Sequence, residues 1–226
     1  MNRLINRTDA GRVAAELVLA LLLAVWMPLA GAATIPEADK VWRFRVFLDD
    51  REIGYHHYFL AGDGETRKLR SVASFEYRLL RVRLYHYEHE NVETWSGDCL
   101  QSIVSSTDAN GRNYSVEGGT AEGVFRVAGS SGAATLPGCV MSFAYWNPSI
   151  LGQARLLNTQ NGEFLEVEVS PPVSDVLEVG GEPRDAWRYR LVAGELNLDL
   201  WYSTEHDWLA LESEVRGDRT LRYERM

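Results

Sequence analysis

Basic charge is in short supply in this chain. It carries 23 Lys+Arg against 32 Asp+Glu, a formal net charge of −9 over 226 residues. Binding to a phosphate backbone needs a basic surface, so this balance argues against DNA or RNA as a partner. It argues equally against simple electrostatic adhesion of the chain to anionic lipid headgroups. Lysine is nearly missing. Lys40 and Lys68 are the only two, and neither follows a serine at the Ser-x-x-Lys spacing of a lysine-activated nucleophile. No serine sits in a Gly-x-Ser-x-Gly elbow, and no Gly-rich phosphate loop is present, because Gly118-Gly119 and Gly180-Gly181 read as hairpin turns. No catalytic constellation is recognisable, so a non-enzymatic protein without a cofactor is expected. Proline is also sparse, and the stretch from Arg67 to Trp95 has neither proline nor glycine.

What is present starts with an export signal. Arg3, Arg7 and Arg12 form a basic leader, Leu17 to Leu29 is an apolar run too short to span a bilayer comfortably, and Ala30-Gly31-Ala32 is a small-residue cleavage site. Residues 1–32 therefore read as a signal peptide and 33–226 as a single exported β-rich domain, expected in the periplasm and not spanning the membrane. The leader is basic by one charge, so the remainder carries −10. Leu29-Ala30-Gly31-Ala32 has the look of a lipoprotein box with alanine where the lipidated cysteine belongs, which points to a soluble protein.

Cysteine is limited to Cys99 and Cys139. Two cysteines in an oxidising compartment suggest one disulfide, with two free buried thiols as the alternative. Closing a loop of about 40 residues stabilises by roughly 4 kcal/mol in the chain-entropy view.

The exported part alternates with period two almost throughout. Trp42, Phe44, Val46 and Leu48 share one face opposite Arg43 and Arg45. Two long strands are expected over Lys68–Tyr77 and Val82–Trp95, with a bend or tight turn in the basic run between them. Asn110-Gly111 is a hairpin signal. Leu196, Leu198, Leu200 and Tyr202 alternate with Asn197, Asp199 and Trp201, and Leu209, Leu211, Ser213 and Val215 alternate with Glu212 and Glu214. Pro171-Pro172 reads as a kinked connection between strands. The pattern changes once. Asn147 as N-cap, Pro148 at the first helical position, and a stripe of Ile150, Leu151, Ala154 and Leu157 predict a helix over Pro148–Asn158. The expected fold is mainly β: a single curved antiparallel sheet or half-barrel with one helix packed on its concave face.

Candidate site residues come from strand faces. His86, Glu88 and Glu90 share one face and carry metal-ligand chemistry, although alternation alone creates such trios. His56 and His57 point to opposite faces. The aromatic residues are more informative, since strands with rings on both faces need a second covering layer, a ligand or a partner. Tyr85, Tyr87 and Trp95 lie on one face of their strand, and Trp201 and Trp208 sit on adjacent strands. These five are the candidate ligand-binding set, with ordinary aromatic core packing as the alternative.

Several of these features occur together: Phe44-x-Val46-x-Leu48-Asp49, Ile53-Gly54-x-His56, Tyr85-x-Tyr87-x-His89 and Glu93-x-Trp95. Further along come Cys139 with Phe143-x-Tyr145-Trp146-Asn147-Pro148, then Leu200-Trp201-Tyr202 and Trp208-x-x-Leu211. In this combination the chain resembles an uncharacterised domain-of-unknown-function family of secreted proteobacterial proteins, which has no assigned activity. At the level of fold it also resembles LolA and LolB, the carrier and receptor of outer-membrane lipoproteins, which hold acyl chains inside an incomplete barrel. That likeness implies a periplasmic protein binding an apolar or amphipathic molecule, a lipid or acyl group, in the curved sheet. The alternative is a structural or assembly factor that contacts another envelope protein.

Overall fold

The computed structural model describes residues 38–62, 64–215 and 218–226. The expected signal segment lies outside them. The first eight strands form an unbroken meander: β1 (Lys40–Leu48), β2 (Arg51–Ala61), β3 (Thr66–Leu79), β4 (Val82–Ser96), β5 (Cys99–Ala109), β6 (Arg112–Ala121), β7 (Val124–Gly129) and β8 (Gly132–Pro137). Two short strands follow, β9 (Arg155–Leu157) and β10 (Phe164–Glu166). The chain then continues through β11 (Glu168–Val169), β12 (Val173–Val179), β13 (Glu182–Ala193), β14 (Leu196–Ser203), β15 (Trp208–Val215) and β16 (Arg219–Arg225).

All but β9 and β10 belong to one antiparallel sheet. The last strand pairs with the first, from Phe44 opposite Arg225 to Leu48 opposite Leu221, and this joins the two meanders at the middle of the sheet. The sheet is not closed. β8 is one edge, while β11 and β12 share the outer side of β13 at the other. Pro171-Pro172 separates β11 from β12, as expected where proline cannot donate to the ladder. The turns obey local chemistry. Asn110 and Gly111 take positive φ of 56° and 79° in the two-residue β5–β6 turn, where left-handed backbone suits these residues.

Alternation puts Trp42, Phe44 and Val46 of β1, Leu69, Ala73 and Phe75 of β3, and Leu198, Leu200 and Tyr202 of β14 into one continuous core. The expected helix is corrected by the structure. Only a 3-10 turn forms, over Pro148–Gly152, and no α-helix occurs among the described residues. Its start is as expected, because the Asn147 side chain accepts a hydrogen bond from Ser149 N at 3.1 Å. It stops because the backbone of the following residues is used elsewhere. β9 pairs with β10, and Leu157 N donates to Met141 O. This pairing buries Leu156 and Leu157 completely, although they are neighbours in sequence. A helix would have put only one of them on its apolar stripe.

The covering layer is therefore an irregular segment, residues 138–167, that crosses the inner face from one sheet edge to the other. Val140, Met141, Ala144, Trp146 and Ile150 are all buried along it. Its polar backbone is satisfied by the sheet: Leu100 N donates to Val140 O at 2.8 Å, and the Tyr202 hydroxyl donates to Tyr145 O at 2.8 Å. A disulfide between Cys99 and Cys139, with Cα atoms 4.8 Å apart, ties the start of the segment to β5.

Candidate functional site

The two ends of the curved sheet differ. At the end carrying the starts of β1 and β15, Trp146 packs against Trp42 and Trp95, with ring centroids 6.4 and 5.5 Å away. Trp208 packs on Phe44 at 4.3 Å. Polar side chains are buried beneath and partly bonded to one another, while Asn91 Oδ1 and Trp146 Nε1 have no hydrogen-bond partner among the described residues. Glu93 accepts from Trp95 Nε1 and Asn91 Nδ2, both at 3.0 Å. Burial raises the Glu93 pKa, and those hydrogen bonds oppose the rise. This end is closed by core packing.

The opposite end holds a cavity of about 780 Å³. One wall comes from β2, β3 and β4, with Ile53, Phe75, Tyr77, Tyr85 and Tyr87. The facing wall comes from β14, β15 and β16, with Leu196, Leu198, Leu211, Leu221 and Tyr223. Tyr145 and Gln160 of the inner segment also line it. The rings are ordered. Phe75 and Tyr87 stack at 5.2 Å, and Tyr85 and Tyr87 lie nearly parallel at 6.4 Å. Tyr87 is held from behind, its hydroxyl donating to Gln160 Oε1 at 3.2 Å. At the lip, Tyr77 lies between two guanidinium groups, Arg219 at 4.7 Å and Arg51 at 5.1 Å from its ring.

The polar floor of the cavity is His56. Its Nδ1 lies 3.1 Å from the Tyr58 hydroxyl and 3.2 Å from the Tyr223 hydroxyl, while its Nε2 has no hydrogen-bond partner among the described residues. His89, from β4, stands 6.4 Å away ring to ring and is hydrogen-bonded through Nδ1 to Thr107 Oγ1 at 2.8 Å. Burial depresses both imidazoles. His56 falls well below the ordinary 6.5, with the charges of His89 and His57 adding to the effect, and His89 falls to about 4. Both rings are neutral at physiological pH, which suits a floor under an apolar space.

The five aromatic candidates do not form one site. Tyr85 and Tyr87 line the cavity. Trp95 and Trp208 are fully buried at the closed end. Trp201 is on the other face of the sheet. There it packs with Ala186 and Leu209 and donates from Nε1 to Asp175 Oδ2 at 2.9 Å. A register shift between Trp201 and Tyr202 pairs Tyr202 with Trp208 and Trp201 with Ala210, which turns Leu209 away from Leu211. His86 is also on the outer face, its Nε2 3.9 Å from both Glu88 and Asp108. No group of metal-ligating side chains is assembled among the described residues.

The alternation missed His56, Phe75, Tyr77 and Tyr223 as lining residues. Tyr77 and Phe75 were in phase with one another and could have been grouped by strand face. Tyr223 could not, because its place depends on β16 pairing with β1. No helix of the described residues is long and apolar enough to cross a membrane.

Residues 44–226 match a family described as a domain of unknown function, DUF6134. No curated protein matches the sequence. Among solved structures, the chain is similar to the β-barrel-like protein of the domain of unknown function DUF1849 from Brucella abortus. The TM-score is 0.57 at 11% identity, covering 82% of this chain and 96% of that one. At that identity the likeness is one of fold.

Proposed function

The chain belongs to the DUF6134 family, and from the geometry of its cavity we propose that it is a non-enzymatic binder of an apolar or amphipathic molecule, a lipid or acyl group, acting in the periplasm after export. The observation that carries this reading is the cavity of about 780 Å³ between the two walls of the sheet. Small-molecule sites occupy roughly 300–1,000 Å³ and combine apolar walls with a few placed polar groups. Here the walls are leucine, phenylalanine and tyrosine. Asn110, Gln160 and Ser213 of the lining are the placed polar groups for the ligand's polar end. The export signal and the disulfide pair support the compartment.

The test is titration of the delipidated protein with a fluorescent fatty-acid probe. Micromolar binding is expected. Leu198→Trp fills the cavity from one wall, and Tyr87→Ala removes a ring from the other, so each should weaken binding while melting stays cooperative. Absence of binding by the folded protein, or equal binding by the filled variant, overturns the reading. A second reading, contact with an envelope protein, is favoured by one observation. β8 is an edge strand with no strand on its outer side among the described residues, and such an edge can accept a strand from a partner.

A further inference from the structure

The tip of the β3–β4 hairpin breaks the rule that the other turns of the sheet follow. Those turns are polar or glycine-bearing: Asp49-Asp50, Asn110-Gly111, Glu122-Gly123, Gly180-Gly181 and Gly194-Glu195. Here the two turn residues are Leu80 and Arg81. Leu80 is 93% exposed and holds a positive φ of 56°. A leucine in the left-handed region costs roughly 1–2 kcal/mol, which Asn or Gly would largely avoid. Its neighbours Leu79, Val82 and Leu84 are 54%, 61% and 52% exposed. Folding gains nothing from this arrangement.

The tip also projects. Pairing of β3 with β2 ends at Phe75, and bonding of β4 to its other neighbour ends at His86. Four residues on each strand run past both neighbours, about 13 Å at strand rise. The charge is local and of the minority sign. Arg78, Arg81 and Arg83 lie in the tip, and no carboxylate occurs between Tyr77 and Tyr87. Arg78 is paired with Glu76 at 2.6 Å, whereas Arg81 and Arg83 have no ion-pair partner among the described residues. Behind the tip stand Tyr77 and Tyr85, which also line the cavity, as does Leu84.

Exposed leucines at an apex, arginines flanking them and tyrosines one step behind form the vertical order of a bilayer interface: acyl boundary, phosphates, headgroup level. Stable protein interfaces use about 20–30 residues a side, and this patch has seven, residues 78–84. We propose that the β3–β4 tip docks on an anionic lipid bilayer, with Leu79, Leu80 and Val82 entering the interface, Arg81 and Arg83 on lipid phosphates, and the cavity mouth held against the membrane. The net negative charge of the remainder keeps the contact confined to the tip.

The test is co-sedimentation of the exported protein, its N-terminus verified, with vesicles of phosphatidylcholine alone and of phosphatidylcholine mixed with phosphatidylglycerol. Binding is expected to the mixed vesicles and to weaken with salt. Leu80→Asn should lower the affinity about tenfold or more, and Arg81→Ser with Arg83→Ser about thirtyfold. Leu80→Asn should melt no lower than the parent, because it relieves the turn. Fatty-acid probe binding in solution should be unchanged in both variants, so failure of the docking and failure of the cavity reading are distinguishable. No binding by the parent, equal binding to both vesicle types, or full binding by Leu80→Asn overturns the proposal.

Discussion

At the closed end of the sheet, Trp42, Trp95, Trp146 and Trp208 are at most 4% exposed. At the open end, Leu48, Tyr77, Tyr85, Leu196 and Leu221 are only partly buried against the same core. Both ends are built from the same strands with the same alternation. They differ in what crosses the inner face. The disulfide delivers residues 140–157 to the closed end, where Trp146 fills the space between β1 and β4. Of the whole inner segment, residues 138–167, only Tyr145 and Gln160 line the cavity at the open end, and the walls there stay apart. A curved sheet does not by itself determine whether it encloses a core or a site. The length and position of the segment laid inside it do.

Three perturbations should separate the ends. The largest effect is expected from Trp146→Ala, which leaves a cavity at the closed end and should cost about 3–5 kcal/mol by chemical denaturation. Tyr85→Ala, a comparable loss of ring at the lip, should cost well under half as much. Equal losses would show that the two ends are equally packed. Next comes the disulfide. Cys139→Ser with Cys99→Ser should cost about 4 kcal/mol for a closed loop of this length, with loss of the near-ultraviolet signal of the tryptophan cluster. Unchanged stability would mean that packing alone retains the inner segment.

The third is acidification. His56 and His89 have folded pKa values below the unfolded 6.5, so the unfolded chain binds protons that the folded chain does not. Their contribution is complete above 6.5 and is lost as pH falls towards the folded value, about 4 for His89. The His89 part is worth about 3 kcal/mol. His89→Gln should flatten the decline in denaturation midpoint between pH 6.5 and 4. A decline of the same slope would assign it to carboxylates.

Much of the sheet was legible. The two long strands, the Asn110-Gly111 turn, the Pro171-Pro172 break and the Asn147 cap all follow from interactions within a few residues. The pairing of Cys99 with Cys139 was expected from an even cysteine count in a chain read from its leader as exported. The candidate site was half legible. Tyr85 and Tyr87 share a face because they are two residues apart, but their distance from Tyr223 and Leu198 cannot be read from spacing.

Alternation by itself determined which residues of each strand share a face, because that relation is a property of an extended backbone two residues long. Tertiary structure decided the rest. β16 joins β1 across nearly the whole chain through backbone hydrogen bonds that carry no side-chain signature. One register shift turned Leu209 to the outer face and left Trp208 in the core. The backbone of residues 155–157 bonded to β10 and Met141 rather than to itself, so the expected helix became an irregular inner layer and the cavity stayed open. Each of these outcomes was a competition between partners distant in sequence, and local periodicity does not encode which partner wins.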